Sequence, residues 1–459
     1  GASTAPASKC FITSKRIVPA IGSIVESLLL PVGAMPTLSA TYLAFVAFVF
    51  SCSVARPLAI ADVQTCPGGS GAVAANATVA ARRGHGGAVL LQVAHGRHRT
   101  EAPSASSACD APETEQLLQK VDDWFLRRPS FEGFLRTYDN MNRHDAYDNS
   151  LAAQYLTMRG KLPEAKAILD AAAKQLYGPS AAGTAVEGVS LPSGASRFHL
   201  LAASLGDYDR GTDVGNNAYM GLAFGRYAAA TGDSCYALVA HDILTAIVRS
   251  RGCHGPVKGF ARRLPAGGDH DATSSEHAID VKALARMLHH NETQSAAETY
   301  LAAAYDECQG PGPKYVSGLG TCGSSAKSEW PQRDAFITDT TFWNALADGD
   351  ASNPVHLARA IKTGLTVSDA SDVRDGVRYF GLKFMNVGSG IHWENTGSAV
   401  MAMAHFEDKH PDVVDATPGL RSLIQEKKAS YRCSIKKMIN RFGSIWASVR
   451  QGGSDVCAP

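Results

Sequence analysis

The sequence predicts an all-α fold built from stacked helical hairpins over residues 113–459. Two observations predict it. Amphipathic helices recur in pairs along this region, separated by loops rich in Gly, Pro, Asp and Ser. A carboxylate also stands where the first helix of each pair begins, at intervals of roughly sixty residues. A hairpin of this length cannot bury its apolar face alone, so the hairpins are expected to stack as an open solenoid or a closed ring.

An opening helix and five hairpins follow one another from residue 113. The opening helix covers residues 113–128, where Leu117, Val121 and Trp124 have helical spacing. The carboxylates that mark the five hairpins are Asp148, Asp213, Glu276, Asp339 and Glu394. The first helices are richer in Ala, Gly, Tyr and Trp, which favours an inner layer, and the second helices carry more Glu and Lys. A sixth hairpin is expected from the opening helix packing on a C-terminal helix near residues 431–449.

The region before the hairpins divides into three segments. Residues 1–34 are predicted to be an upstream or unstructured segment, because the first Met is Met35. Residues 35–61 have the pattern of a signal peptide, with an apolar run and an Ala-Ile-Ala cleavage site before Asp62. An uncleaved signal anchor that tethers the protein to a membrane is the alternative. Residues 62–112 are expected to be a low-complexity linker.

Cysteine usage also predicts secretion. Of the 10 Cys, eight follow the proposed cleavage site, and no CxxC pair occurs among them. The short loops 235–253, 308–322 and 433–457 are the expected disulfide loops. The sequons at Asn76 and Asn291 suit a glycoprotein. The protein is therefore expected to be secreted or extracellular, without a stable membrane span after signal cleavage.

Composition and missing motifs exclude several function classes. Lys and Arg total 44 against 43 Asp and Glu, so the net charge of +1 is too small to attract nucleic acid. The sequence contains no P-loop glycine motif, no HExxH and no GxSxG, and the glycine run Gly318-Leu319-Gly320, which continues to Gly323, is assigned to a loop closed by a disulfide. No cofactor and no metal site are therefore expected. The oligomeric state stays open.

Several blocks resemble a known group of proteins. The runs AYDNSLAAQYLTMRG, SSEHAIDV, DTTFWNALADGD and IHWENTGSAVMAM are similar to blocks of the six-hairpin glycosidase-like superfamily, over residues 115–410. The resemblance implies an (α/α)6-type toroid with a carbohydrate cleft at one end of the barrel, lined by acidic and aromatic residues from the ends of the inner helices. Many members are glycoside hydrolases, and others are sugar epimerases, phosphorylases or polysaccharide lyases, so the resemblance fixes the fold better than the reaction.

Paired carboxylates carry glycoside hydrolysis, one as proton donor and the other as base or nucleophile. We rank Glu276 and Glu394 first as catalytic candidates, because Glu is not a preferred N-cap residue. Asp148 and Asp339 follow. For Asp148, Asp213 and Asp339 helix capping is the alternative explanation. For Glu276 and Glu394 the cap is expected from other residues, namely Ser274 or Ser275, and Thr396.

Residues around these carboxylates are the substrate-binding candidates. An aromatic ring beside a carboxylate suits a sugar, which packs its apolar face on the ring, although a core position is an equal alternative for Trp393. One residue of the pair Asn216-Asn217 is expected to face the cleft, since Asn is a poor helix former. The complete set of candidates is Asp213, Asn216, Asn217, Tyr147, Tyr219, His277, Asp280, Trp343, Trp393 and Asn395.

The predicted function is a secreted carbohydrate-active enzyme that hydrolyses an oligo- or polysaccharide with paired carboxylates. A sugar epimerase or polysaccharide lyase on the same fold is the first alternative, with His277 or a tyrosine transferring the proton. A non-catalytic toroid that binds glycans is the second.

Overall fold

The computed structural model describes residues 112–137, 142–179, 181–206, 211–255, 257–264, 272–323, 335–348, 353–388 and 390–443, together with Cys109. The predicted upstream segment, the signal peptide, the linker up to residue 108, Asn76 and Cys457 lie outside these residues. Within the described part, none of the helices combines the length and apolar character that a bilayer span requires.

Helices dominate the described residues, and their order is that of the predicted hairpins. They are α1 (Thr114–Leu126), α2 (Ala146–Met158), α3 (Leu162–Tyr177), α4 (Val214–Thr231), α5 (Ser234–Arg251), α6 (Ser275–Met287), α7 (Asn291–Ala303), α8 (Thr338–Leu346), α9 (Pro354–Val367), α10 (Trp393–Lys409), α11 (Pro411–Ala416) and α12 (Leu420–Phe442).

The contacts between these helices define an inner and an outer layer. The inner helices α2, α4, α6, α8 and α10 each pack against the next in chain order. Each also packs against the helix that follows it, so that α3, α5, α7 and α9 form the outer layer together with α12, which packs on α10 and α9. The all-α toroid of helical hairpins predicted from the sequence is therefore confirmed.

Two contacts join the first helices of the ring to the last. Tyr147 of α2 donates a hydrogen bond to Glu394 of α10, with an Oη–Oε1 distance of 2.6 Å. Helix α1 packs against α12, as predicted for the sixth hairpin. Lys120 of α1 donates to the backbone oxygen and to the side-chain oxygen of Asn440, both at 2.8 Å. The five inner helices therefore close on themselves at the end where they begin.

Side-chain burial explains which helices are inner. All nine residues of α8 are buried, so this helix is surrounded by protein on every side. In α9, which covers α8 from outside, the buried residues recur at three- and four-residue intervals and form a single stripe. The sequence signal for the inner layer is accordingly small and aromatic residues all round the helix, and for the outer layer an apolar stripe.

Two glycines of α4 allow close contact with α6. A Cβ atom at Gly215 would lie 2.5 Å from Cδ2 of His277, and one at Gly221 would lie 2.6 Å from Cδ2 of Leu284. Real carbon contacts of this kind do not come so close, so any larger residue would push the helices apart. Glycine at these positions therefore sets the distance between the second and third inner helices.

Short antiparallel strands, which the sequence reasoning did not predict, join the segments between helices. The longest pair is β11 with β12, which the residues Asp375 and Gly376 connect with φ angles of 48° and 77°. Positive φ at both positions of a two-residue loop is the type I′ hairpin geometry. The strands are β1 (Ser130–Phe131), β2 (Phe134–Leu135), β3 (Arg143–Asp145), β4 (Thr184–Ala185), β5 (His199–Leu200), β6 (Ser204–Gly206), β7 (Thr212–Asp213), β8 (Arg263–Leu264), β9 (Tyr305–Asp306), β10 (Lys314–Tyr315), β11 (Asp369–Arg374) and β12 (Val377–Leu382).

Disulfides are present, but two predicted loops were wrong. Cys253 bonds to Cys322, 69 residues away, and their Cα atoms are 5.2 Å apart. This bond excludes the predicted loops 235–253 and 308–322. Cys308 and Cys433 are also disulfide-bonded. The prediction failed because proximity in sequence was taken for proximity in space, whereas Cys253 and Cys322 follow the outer helices of two successive hairpins.

Candidate functional site

The residue at the second position of each inner helix lies at the end of the ring where these helices begin, which we call the mouth. This position holds Tyr147, Gly215, Glu276, Asp339 and Glu394. Three of the five predicted marker carboxylates therefore occupy equivalent positions. The other two are out of register, since Asp148 comes one residue later and Asp213 precedes the first residue of α4.

Helix capping does not explain Asp148 or Asp213. The N-cap residue of α2 is Asp145, and Asp148 lies inside the first turn. Asp213 is the N-cap residue of α4, but its side chain makes no capping bond and instead forms an ion pair with Arg263, at 3.3 Å. The carboxylates of Asp148 and Asp213 therefore do not accept capping hydrogen bonds from the backbone N–H groups of their own helices.

The N-cap residue was predicted correctly for α6, which carries Glu276, but not for α10, which carries Glu394. Ser274 caps α6 by accepting from the backbone N–H of His277, at 3.4 Å. The cap of α10 is His392, which accepts from the N–H of Asn395 at 3.3 Å, and not Thr396. Either way, Glu276 and Glu394 lie in the first turn with side chains that do not cap.

The fourth residue of three inner helices fastens the preceding segment to the helix. Asn217 accepts from the backbone N–H of Leu201 and donates to the carbonyl oxygens of Leu201 and Asp213, at 2.7, 3.1 and 2.8 Å. Asn149 makes the corresponding three bonds to Leu135 and Asp145. Asn217 is fully buried, so of the predicted pair only the half-buried Asn216 is left to face the mouth.

Thr396 of α10 likewise holds the segment that precedes its helix. It accepts from the N–H of Leu382 at 2.9 Å and donates to the carbonyl oxygen of His392 at 2.7 Å. These residues position the mouth without belonging to it, because their polar atoms are occupied by backbone groups.

An aromatic cluster lies beside Glu394. The ring centroid of Tyr147 is 4.6 Å from that of Tyr219 and 6.3 Å from that of Trp343. Trp343 donates its indole N–H to Ser398, at 2.8 Å. Burial and the Glu394 carboxylate raise the pKa of Tyr147 well above its usual value, so that its phenol stays protonated and donates to Glu394.

Carboxylates from neighbouring inner helices influence one another at the mouth. Burial raises the pKa of Glu276 well above its usual value, and Asp339, Glu394 and Asp213 raise it further. Every neighbour in this set is another carboxylate, so the effect is mutual repulsion of negative charge in a site of low polarity. The pKa of Asp339 is also raised, by burial and by Glu394, although its carboxylate accepts from the N–H of Thr340 at 2.5 Å.

Asp148 is a further acid of the mouth. Burial, Asp145 and Glu394 raise its pKa to about 7, while a hydrogen bond from Thr137 and the charge of Arg143 oppose this rise. Arg143 forms an ion pair with Asp145, at 2.6 Å. Asp148 is therefore protonated for much of the time at neutral pH.

His277 and Asp280 lie on α6 beside Glu276. Burial together with Arg262 and Arg263 lowers the pKa of His277 to about 4, so its imidazole is neutral. Asp280 is 1% exposed, and burial, Glu276, Asp339 and Glu394 raise its pKa well above the usual value. Both residues were predicted from the sequence, and both belong to this cluster.

One predicted binding residue, Trp393, lies elsewhere. Trp393 is 2% exposed and packs against Tyr379 at 5.9 Å between ring centroids, in a core cluster that includes Met438. Its core alternative is thus the correct one, because successive helix residues point in directions about 100° apart, so the neighbour of Glu394 faces away from it. Asn395 is buried as well.

Sequence reasoning missed Gly215 and Ser398. Gly215 is the contact surface for His277 and Asp280, and Ser398 ties Trp343 to the backbone of Glu394 by donating to its carbonyl oxygen at 2.9 Å. A small residue among polar ones at a helix start was the available signal for Gly215. In the portion of the chain that the structure describes, no three His, Cys, Asp or Glu residues are grouped as ligands for one metal ion.

No known protein-family model matches the sequence, and a comparison with curated proteins finds no match. Solved structures do match. An endo-β-1,4-glucanase from Acetobacter xylinum is 15% identical, with a TM-score of 0.45, and the match covers 71% of this chain and 100% of the glucanase. Cellobiose 2-epimerase from Spirochaeta thermophila is 13% identical, with a TM-score of 0.45, and the match covers 75% and 90%.

An inactive variant of an α-1,6-mannanase from Salegentibacter, solved with α-1,6-mannotriose, is 16% identical, with a TM-score of 0.42 and coverage of 68% of this chain and 83% of the mannanase. At these identities the likeness concerns the arrangement of helices alone and not the substrate. The helical hairpins that the resemblance implied are present in this chain, and these matches say nothing of its activity.

Proposed function

We propose that the protein is a carbohydrate-active enzyme that hydrolyses glycosidic bonds at the mouth of the ring. One observation carries this proposal. Glu276, Asp339 and Glu394 come from three successive inner helices, and their carboxylates are near enough to shift pKa values within the group. Hydrolysis of a glycosidic bond requires a protonated and an ionised carboxyl group at one place, and a crowded set of acids of this kind can supply both.

Glu276 is the proposed general acid. Its raised pKa keeps the proton on its carboxyl group near neutral pH, where it can be given to the departing glycosidic oxygen. Glu394 is the proposed base or nucleophile. One of its oxygens accepts the hydrogen bond from Tyr147, which fixes the carboxylate and leaves the other oxygen for a water molecule or the sugar.

The remaining mouth residues are proposed to bind the sugar. Tyr147, Tyr219 and Trp343 offer apolar ring surface for the faces of the sugar rings. Asp148 and Asp339 offer oxygen atoms for its hydroxyl groups, and Asp213 and Asn216 extend this set at the start of α4. Asn217 is left out of the proposed site because its side chain is bonded to backbone groups, and Trp393 because it packs against Tyr379. Asn395 is left out because it is buried.

The test is a panel of soluble oligo- and polysaccharides with analysis of reducing-end products. Once a substrate is found, Glu276→Gln and Glu394→Gln should each lower turnover by about 10²- to 10⁴-fold, the usual contribution of a catalytic acid or base. Glu292→Gln is the matched control, since Glu292 is an exposed first-turn glutamate of the outer helix α7. Full activity in both site variants would refute the assignment, and glycan retention without product would favour a binding toroid.

A sugar epimerase is the second candidate, with His277 as the proton acceptor, because Nδ1 of its neutral imidazole has no hydrogen-bond partner in the described residues. Its pKa of about 4 makes it a weak base, so hydrolysis is the first candidate. Epimerisation gives a product of unchanged chain length with an altered reducing-end sugar, whereas hydrolysis gives shorter chains. Product analysis by NMR therefore separates the two reactions, and an unsaturated product absorbing in the ultraviolet would indicate a lyase.

We also propose that the protein acts outside the cell, after removal of residues 35–61 as a signal peptide. The Cys253–Cys322 disulfide supports an oxidising compartment. The sequon at Asn291 has an exposed asparagine at the start of α7. N-terminal sequencing of the protein from culture medium should begin at Asp62. Recovery only in the membrane fraction, with the apolar segment intact, would support the signal anchor instead.

A further inference from the structure

The carboxyl group of Asp280 has a position that the proposed reaction does not yet use. Asp280 lies one helical turn after Glu276 on the same face of α6, which places their Cβ atoms about 5–6 Å apart. It is buried, and neither of its carboxyl oxygens has a hydrogen-bond partner among the described residues. A buried polar group without a partner is costly, so its presence calls for a role.

The surroundings of Asp280 contain acids and neutral polar groups. A Cβ atom at Gly215 would lie 2.9 Å from Oδ2 of Asp280 and 3.0 Å from Nε2 of His277, so the glycine lets both side chains rest against α4. The titratable groups that interact with Asp280 from its own helix and from α2, α4, α8 and α10 are Glu276, Tyr147, Tyr219, Asp339 and Glu394. His277 completes the set on α6.

An ionised carboxylate in this position would have to exist without a compensating cation among these groups. The uncharged acid avoids that cost, and it also gains an O–H group that can donate a hydrogen bond. Burial and the three facing carboxylates raise the pKa of Asp280 in agreement with this state. Glu276 is the acid on the same helix face and one turn nearer the mouth.

We propose that Asp280 is a positioning residue that acts as an uncharged hydrogen-bond donor beneath Glu276, and this rests on the proposed function. In the reaction, the carboxyl proton of Glu276 moves to the glycosidic oxygen as the bond between that oxygen and the anomeric carbon breaks, and a water molecule deprotonated by Glu394, or Glu394 itself, forms the new bond to that carbon. Glu276 is then a carboxylate among other acids. The O–H of Asp280 donates to it and stabilises that charge, while the proton stays on Asp280.

The variants Asp280→Asn and Asp280→Leu separate this role from others. Asn is uncharged and keeps a donor, so Asp280→Asn should stay within about threefold of the wild-type kcat. Leu keeps the branched shape without a donor, so Asp280→Leu should lower kcat by about 10- to 100-fold with little change in KM. The melting temperature of the Leu variant should change little, because removal of an unpaired polar group offsets the larger side chain.

Any other outcome for the two Asp280 variants would overturn the proposal. Equal loss of kcat in both variants would mean that the negative charge or the exact shape matters, and equal retention would mean that Asp280 does not act on Glu276. A shift of the basic limb of the pH–rate profile in Asp280→Asn would show that Asp280 is ionised in the working enzyme. If Glu276→Gln abolishes activity and Asp280→Leu does not, only this inference fails. If the wild-type chain cleaves no glycan, both proposals fail together.

Discussion

Replacing Asp148 by Asn should change how the stability of the fold depends on pH. Asp148 is half-buried in the first turn of α2, where burial, Asp145 and Glu394 raise its pKa to about 7. Asn has nearly the same shape but cannot ionise. The variant therefore removes one proton-binding group from the mouth while its neighbours remain in place.

The direction follows from the proton balance between the folded and unfolded chains. The unfolded chain loses this proton near pH 3.9, its ordinary value, and the folded chain loses it near pH 7. Between these values the folded state binds more protons, so its free energy of unfolding falls as the pH rises and then levels off above pH 7. From pH 5 to pH 8 the free energy of unfolding falls over about two pH units, from pH 5 to the folded-state pKa, which corresponds to about 3 kcal/mol.

Urea unfolding of both proteins at several pH values, followed by circular dichroism, measures this effect. The stability of Asp148→Asn relative to the wild type should rise by about 3 kcal/mol between pH 5 and pH 8. Asp412→Asn is the matched control, because Asp412 is an exposed first-turn aspartate of α11, and its difference from wild type should stay nearly constant. Parallel stability curves for Asp148→Asn and the wild type would refute the reasoning about the buried acid.

Two further variants test the construction of the mouth. Tyr147→Phe removes the donor to the site glutamate and should lower kcat/KM by about 10- to 100-fold in initial-rate assays, so wild-type rates would contradict the proposed pairing. Asn217→Ala removes three hydrogen bonds to buried backbone groups and should cost about 2–4 kcal/mol in urea unfolding. Asn216→Ala should cost about 0.5 kcal/mol or less, and equal losses would contradict the distinction between the two asparagines.

The repeating helical hairpins could be predicted from the sequence because each inner helix carries the same local signals. Glu276, Asp339 and Glu394 lie at equivalent helix positions, as the regular spacing of acids indicated. Asp148 and Asp213 lie one residue after and two residues before that position. Such an offset is invisible in a spacing argument, because helix boundaries depend on the hydrogen bonds of the preceding segment, which Asn149 and Asn217 make here.

Other features required information that the sequence alone does not display. The partner of Cys253 is decided by where whole hairpins meet, and short loops were the wrong guide. Trp393 and Glu394 are adjacent in sequence but face a core cluster and the mouth respectively. The β11–β12 hairpin, in contrast, had a readable signal, since Asp375-Gly376 between alternating residues is typical of a type I′ turn.

Acidic side chains destabilise the folded state at one end of the inner helices and stabilise it at the other. This balance explains how the fold remains stable with several buried acids at the mouth. At the mouth, buried acids repel one another, and their raised pKa values mean that ionising them destabilises the folded state as the pH rises. At the C-terminal end of α8, Asp348 contacts Arg286 at 2.9 Å, His405 at 3.0 Å and Lys409 at 2.6 Å.

These bonds join α8 to α6 and α10, and Lys282 of α6 adds a bond to the backbone oxygen of Asp348. Although burial opposes it, hydrogen bonds from His405 and Lys409 hold the pKa of Asp348 well below its usual value. Its contribution to stability is therefore complete above the pKa of the unfolded chain and is lost only as the pH falls below it. Helices α6, α8 and α10 thus have mutually repelling acids at one end and a paired acid at the other. The stabilisation by the paired acid offsets the repulsion, so the chain stays folded while the acids of the mouth keep raised pKa values.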